Sequence, residues 1–237
     1  MPNPYFRFKQ FTVYHDRCAM KVGTDGVLLG AWADVREAAN ALDAGTGSGL
    51  IALMLAQRNA AMKVTAIDID GDAIGQTESN VRSSPFSERI ECKHISLQDF
   101  ADSKPTLYDL VVSNPPFFTD SLKSPDRQRT TARHTDTLPV EDLIWLAAKL
   151  LSAKGKLCLI YPYEYYERIV DLSEKSGLFV TRITKVYPTP SSAVRRILVE
   201  LSKAKHRPTE SELVIEESRH IYTEEFKRLT KDFYLKM

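Results

Sequence analysis

From about residue 38, short apolar runs rich in β-branched residues alternate with longer stretches whose apolar positions recur at helical spacing. The runs 38–44 (ANALDAG), 63–70 (KVTAIDID), 89–96 (RIECKHIS) and 108–113 (YDLVVS) read as strands, bounded by Gly, Asp and Ser as strands usually are. Residues 50–58 (LIALMLAQR), the segment DAIGQTESNVRSS, 140–152 (VEDLIWLAAKLLS) and 163–177 (YEYYERIVDLSEKSG) read as helices. Pro139 suits the first turn of the third of these, and Gly177 ends the fourth. A strand is expected at 155–162, and two more at 178–188 and 194–202. The last two are joined by YPTPSSA with no room for a helix, so an antiparallel edge is expected. Residues 203–237 are expected to add one strand (ELVIEES) and a terminal helix (TEEFKRLTKDFYLK).

Strands that alternate with helices imply an α/β fold with a parallel sheet covered on both faces. A chain of 237 residues accommodates this as one domain. In that reading 1–37 is an N-terminal extension, 38–202 the core and 203–237 a C-terminal extension packed on it. The formal net charge is +1, so overall charge does not select a partner, and any nucleic acid must be held by local basic patches. Cys18, Cys92 and Cys158 are widely spaced, without a CxxC or Cys/His cluster, so neither a metal site nor a disulfide framework is expected. The N-terminus lacks the apolar core of a signal peptide, and the greasiest segment, 143–151, is too short to span a bilayer and contains Lys149. A soluble cytoplasmic protein with no membrane contact is expected. The oligomeric state stays open, with a monomer the simplest form.

The first strand runs into Asp43-Ala44-Gly45-Thr46-Gly47-Ser48-Gly49 and then a helix. A glycine-rich turn between strand and helix lets backbone approach a ligand, with helix N–H groups beside it. The dinucleotide fingerprint G-x-G-x-x-G does not fit, because its third glycine would fall on Leu50. The glycines here are G-x-G-x-G behind an acid, an arrangement better suited to a cationic ammonium than to a pyrophosphate. This pattern resembles motif I of the class I S-adenosylmethionine (SAM) methyltransferases, whose loop wraps the amino-acid and ribose parts of SAM. Asp68 ends the next strand, where an acid accepts hydrogen bonds from ribose hydroxyls. Asp70, two residues on, is a second choice for that role or else a helix cap.

Asn114-Pro115-Pro116-Phe117 lies at the end of the fourth strand, the edge at which open α/β sheets bind ligands. Pro115 forces Asn114 into an extended conformation, and the prolines leave stiff carbonyls without N–H groups. The Asn114 oxygen and the Pro115 carbonyl are two acceptors suited to a planar NH2 group. Phe117 offers a face on which a base can stack. The pattern resembles the [DNS]-P-P-[YFW] signature of amino-group methyltransferases, which act on adenine N6, guanine N2, cytosine N4 or a glutamine amide.

The stretches FTVYHDRCAMKVGTDGVLLGAW (11–32), RTTARHTDTL (129–138), YPTPSSAVRRILVEL (187–201) and LTKDFYL (229–235), with DAGTGSG and SNPPFF, resemble the bacterial tRNA1(Val) adenine-37 N6-methyltransferase family over essentially the whole chain. The resemblance implies a Rossmann-like class I fold, a mostly parallel seven-stranded sheet with an antiparallel edge strand. It also implies SAM as cofactor and a tRNA as substrate. Thr24 becomes a candidate contact in a segment that closes the SAM pocket. Ser96 holds the place where the family usually has an acid against the SAM adenine, with Asp99 three residues later. Arg127, Arg129 and Arg133, with Arg195 and Arg196, are candidates for RNA phosphates; of the last two, one is expected to pair with a carboxylate and the other to face RNA. Methylation of adenine N6 or guanine N2 in another RNA or in DNA, or of a glutamine side chain in a protein, is the alternative. The glutamine enzymes typically carry a separate N-terminal helical domain, and the residues before the glycine loop are too few for one.

Overall fold

The computed structural model describes residues 3–103, 106–116 and 138–236. It opens with a hairpin, β1 (Tyr5–Arg7) and β2 (Thr12–Tyr14), followed by α1 (Thr24–Trp32). Then come β3 (Asn40–Ala44), α2 (Leu50–Arg58), β4 (Lys63–Asp68), α3 (Gly71–Arg82), β5 (Ile90–His94), α4 (Leu97–Asp102) and β6 (Tyr108–Ser113). The second half runs α5 (Val140–Leu150), β7 (Leu151–Pro162), α6 (Tyr166–Lys175), β8 (Phe179–Tyr187) and β9 (Arg196–Ser202). It ends with β10 (Thr209–Val214), the short pair β11 (Glu216–Ser218) and β12 (Ile221–Tyr222), and α7 (Glu224–Thr230).

Strands β3 to β10 form one sheet in the order β10-β8-β9-β7-β6-β3-β4-β5. All neighbours are parallel except those of β9, which runs against both β7 and β8. The expected α/β architecture is present with two differences. The sheet has eight strands, not seven, and the antiparallel strand lies inside it. The edge beyond β8 is taken by β10 from the C-terminal extension, pairing parallel from Thr209 opposite Arg182 to Val214 opposite Tyr187. Its TESELV sequence exposes its first four residues, as befits an edge.

The central strands are buried on both faces, which is why they read as continuous apolar runs. Alternate side chains serve two cores. Ala41, Leu110, Val112, Cys158 and Ile160 meet the helices α1 and α2. Leu42, Ala44, Val111, Leu157 and Leu159 meet α5 and its neighbours. Helix α1 is fastened across the sheet by Trp32, whose Nε1 donates to Thr184 Oγ1 at 2.9 Å while the Arg182 guanidinium lies 3.6 Å from its ring centre. The chain ends share one aromatic cluster. Phe8, Phe11, Phe226 and Phe233 are buried in it with Phe6 and Tyr234 against them, and the Lys9 N–H donates to the Phe233 carbonyl at 2.8 Å.

Several boundaries differ from expectation. Strand β7 starts at Leu151, directly after α5, rather than at 155. The tail strand lies at Thr209–Val214, ahead of the expected ELVIEES, whose last residues form β11, and the final helix stops at Thr230. No helix among the described residues is long and apolar enough to cross a membrane.

Candidate active site

The chain leaves β3, visits β4 and β5 on one side, then returns to place β6 on the other. The C-terminal ends of β3 and β6 therefore bracket a crevice, the topological switch point at which open α/β sheets take ligands. The glycine loop and Asn114 sit at those two ends.

Asp43 is fully buried at the end of β3. Its Oδ2 accepts from Thr46 Oγ1 at 2.7 Å and from the Ala52 N–H at 3.1 Å, stapling the loop to the first turn of α2. Its Oδ1 has no donor among the described residues. Burial pushes the carboxyl up from 3.8 to about 7, opposed by those two hydrogen bonds and reinforced by the nearby Asp68 carboxylate. Gly45, Gly47 and Gly49 have φ of 74°, 57° and 79°, the left-handed region that side chains resist. A Cβ at Gly45 or Gly47 would meet nothing within 4 Å, whereas one at Gly49 would strike Thr77 Cγ2 at 2.8 Å. Gly49 is thus required by packing, while Gly45 and Gly47 line open space.

Asp68 ties the loop to β4: its Oδ2 accepts from the Gly47 N–H at 2.8 Å and its Oδ1 from the Asp70 N–H at 3.0 Å. A carboxylate offers about four acceptor positions, so Asp68 retains capacity for a hydroxyl. Asp70 caps α3, its Oδ1 accepting from the N–H groups of Asp72 and Ala73, and that accounts for its presence. Ser96 caps α4: its Oγ accepts from the Asp99 N–H at 3.0 Å and donates to Asp99 Oδ2 at 2.6 Å. The two residues are therefore one capping unit.

At the end of β6, Ser113 donates to the Ala44 carbonyl at 2.6 Å and draws the strand end towards the loop. The next side chain, Asn114, shares the sheet face of Val112 and Asp43. Its Oδ1 is buried without a donor among the described residues. Its Nδ2 lies against α1, 3.8 Å from where a Cβ on Gly26 would stand. Pro115 is buried behind it and Pro116 exposed. Phe117, Arg127, Arg129 and Arg133 lie outside the described residues.

Thr24 opens α1 and is exposed. It lines a groove with Asp25, Arg195 and Arg196. Arg196 Nε donates to Asp25 Oδ2 at 2.8 Å, while the Arg195 side chain is exposed. Arg196 is thus paired with a carboxylate, and Arg195 is exposed.

Sequence reasoning missed three supporting residues. Thr77 Oγ1 donates to the Gly47 carbonyl at 2.7 Å, and Asn80 Nδ2 donates to the carbonyls of Ser48 and Tyr14. Their signal was present: Gln76, Thr77 and Asn80 put three polar residues on the buried face of an amphipathic helix. His15 is the third, with Nδ1 accepting from the Val22 N–H and Nε2 bonded to the Asn3 carbonyl, a tautomer inferred from those partners. It shapes the segment that leads into α1.

Together the strand ends offer an open glycine cradle, two acids and an orphaned amide oxygen. Two carboxylates side by side favour a cation, and spare capacity on Asp68 suits hydroxyls. These groups fit SAM, whose sulfonium and ammonium are cationic and whose ribose carries hydroxyls.

Residues 20–173 match the methyltransferase small domain family. The chain is 51% identical over 238 residues to the tRNA1(Val) (adenine(37)-N6)-methyltransferase of Parabacteroides distasonis, covering 100% of both. It is 51% identical over 233 residues to that of Trichodesmium erythraeum, covering 98% of both. Among solved structures it resembles a predicted O-methyltransferase from Agrobacterium tumefaciens, with a TM-score of 0.69 at 22% identity, covering 88% of this chain and 96% of the other. A ribosomal protein L11 methylase from Lactobacillus delbrueckii gives a TM-score of 0.53 at 21% identity, covering 76% of this chain and 77% of that one. At such identities the likeness is one of fold.

Proposed function

The chain belongs to the tRNA1(Val) (adenine(37)-N6)-methyltransferases, within the methyltransferase small domain family, and on that premise we infer that it methylates the exocyclic N6 of an adenine in tRNA, with SAM as methyl donor. The observation that carries the reading is the buried Asn114 Oδ1, an acceptor with no donor among the described residues. Leaving such a group unpaired is unfavourable by about 1–3 kcal/mol, so its retention points to a ligand that donates to it. An adenine amine does so.

In this reading Asn114 Oδ1 and the Pro115 carbonyl each accept one N6–H. They hold the amine, favour a more pyramidal nitrogen and stabilise the positive charge that grows on it. Acceptors fixed before the reaction need no reorganisation, and a single such group is typically worth about 10²–10³ in rate. Pro115 and Pro116 keep these acceptors rigid, and Phe117 stacks on the base. When bound, SAM supplies a methyl group activated by its sulfonium. Gly45, Gly47 and Gly49 would hold the amino-acid part, with the Asp43 carboxyl behind the loop favouring its ammonium, and Asp68 would accept from the ribose hydroxyls. Of the other two candidates for SAM, Ser96 is accounted for as the cap of α4 and Thr24 lines the separate groove beside Arg195. Arg195, Arg127, Arg129 and Arg133 would hold RNA phosphates, and Arg196, paired with Asp25, would support Arg195. We take residues 1–237 as one such domain working in the cytoplasm.

The test is incubation with labelled SAM and total tRNA, followed by nucleoside mapping. Label is expected in N6-methyladenosine from a tRNA; label only in protein, only in DNA or in another nucleoside overturns the assignment.

A further inference from the structure

We propose that the groove between α1 and the turn joining β8 to β9 is a second nucleotide subsite, which holds a nucleotide next to the methylated adenine. This rests on the reading of Asn114 given above. The groove has a volume of about 330 Å³. Small-molecule sites run from roughly 300 to 1,000 Å³, so it admits one nucleoside rather than a run of them.

Its floor is apolar, made by Val186, Pro188 and Ile215, and its rim carries Thr24, Asp25, Arg195 and Arg196. The two arginines differ. Arg196 is bonded to Asp25, so its charge is matched within the wall, and the pair fixes α1 against the start of β9. Arg195 uses its backbone, accepting from the Tyr163 N–H and donating to the Val186 carbonyl, and leaves its guanidinium exposed. Among the described lining residues two arginines and one aspartate leave a single positive charge, which matches one phosphate. An apolar floor on which a base can lie and one cation for its phosphate are parts with which single-stranded nucleic acid is held.

The two sites adjoin through the first turn of α1: Asp25 lines the groove, and the next residue, Gly26, abuts the Asn114 amide. A target base turned out of its stack towards Asn114 would leave its neighbour at the groove.

The probe is a stem–loop RNA containing the target adenine, compared with the same RNA bearing a neutral methylphosphonate at either flanking phosphate. Arg195→Met is expected to raise KM for RNA roughly tenfold, as loss of one charge-assisted contact implies, and to lower the salt slope by about one. SAM affinity and kcat at saturating RNA should hold. One of the two methylphosphonates should weaken the wild type similarly and add nothing in Arg195→Met. Ile215→Trp, which fills the groove, should also raise KM. A wild-type KM and salt slope in Arg195→Met, or effects that simply multiply, overturn the subsite. Binding of RNA carrying 2-aminopurine beside the target reads the groove without turnover. A fluorescence change in the wild type that Arg195→Met weakens supports the subsite even if no methyl is transferred, in which case the methylation reading falls alone. Methyl transfer with no such change sinks the subsite and leaves the methylation reading standing.

Discussion

Replacing Asn114 by alanine should separate stability from catalysis. In most buried positions the loss of a polar side chain destabilises, because a partner is left unpaired. Here Oδ1 has no donor among the described residues, so its removal relieves a desolvation penalty of about 1–3 kcal/mol. The packing lost with the carboxamide is worth roughly 1 kcal/mol, leaving a net effect between about zero and a 2 kcal/mol gain. For a chain of this size each kcal/mol moves Tm by about 2–4 °C, so the variant should melt at or somewhat above the wild-type temperature. Methyl transfer should nonetheless fall by about 10²–10³ under single-turnover conditions, or roughly 3–4 kcal/mol of transition-state stabilisation. SAM affinity, measured by calorimetry, should not change, because the loop that holds it is built on β3 and β4. The reasoning fails if the variant melts many degrees lower and loses SAM binding in parallel, which would make Asn114 a structural residue. It fails equally if transfer stays within tenfold of wild type.

Asp43 predicts a pH dependence. Its folded-state carboxyl is raised to about 7, so the stability it permits is complete below its ordinary value and is lost as pH rises through 7; the free protein should lose roughly 2–3 kcal/mol between pH 5 and 8 through this group. Denaturant titrations should show that slope in the wild type, a flatter one in Asp43→Asn, and a flatter one with saturating SAM, whose cation favours the ionised form. Gly45→Ala should lower the Tm of the free protein only by left-handed strain of about 1–2 kcal/mol yet sharply weaken SAM binding, since its Cβ enters open space in the cradle. Gly49→Ala should destabilise the free protein further, because its Cβ meets Thr77; equal melting of the two variants would contradict this. Asp70→Ala should lower stability by about 1 kcal/mol through loss of a cap, with SAM affinity unaltered; a large loss of affinity would restore Asp70 as a ligand.

Elements whose own residues repeat the fold's logic are legible in the sequence alone. The helix 50–58 and the strand 108–113 occupy the expected positions, one marked by a glycine loop and the other by a buried apolar run ending in prolines. The strand-end placement of Asp43, Asp68 and Asn114 follows from the same alternation. The hairpin β1–β2 was not legible, because each strand is three residues long and half polar. Strand β10 was misplaced because TESELV has no apolar run of its own and becomes a strand only by pairing with β8. Which arginine would be paired also lay beyond the sequence, since the partner, Asp25, is 171 positions away.

The aromatic cluster at the chain ends bears on how the protein is made. Lys9 Nζ donates to the Lys231 carbonyl, 222 positions later, and Phe8 is covered by Tyr234. At synthesis rates of about 5–20 residues per second, Phe6, Phe8 and Phe11 wait roughly 10–45 s for the residues that bury them. The crevice depends on the same assembly, because the segment from β2 through His15 to α1 supplies Gly26 beside Asn114. Phe6, Phe8 and Phe11 are therefore among the last residues to be secured, and a nascent chain carries an exposed phenylalanine face until residues 226–234 follow.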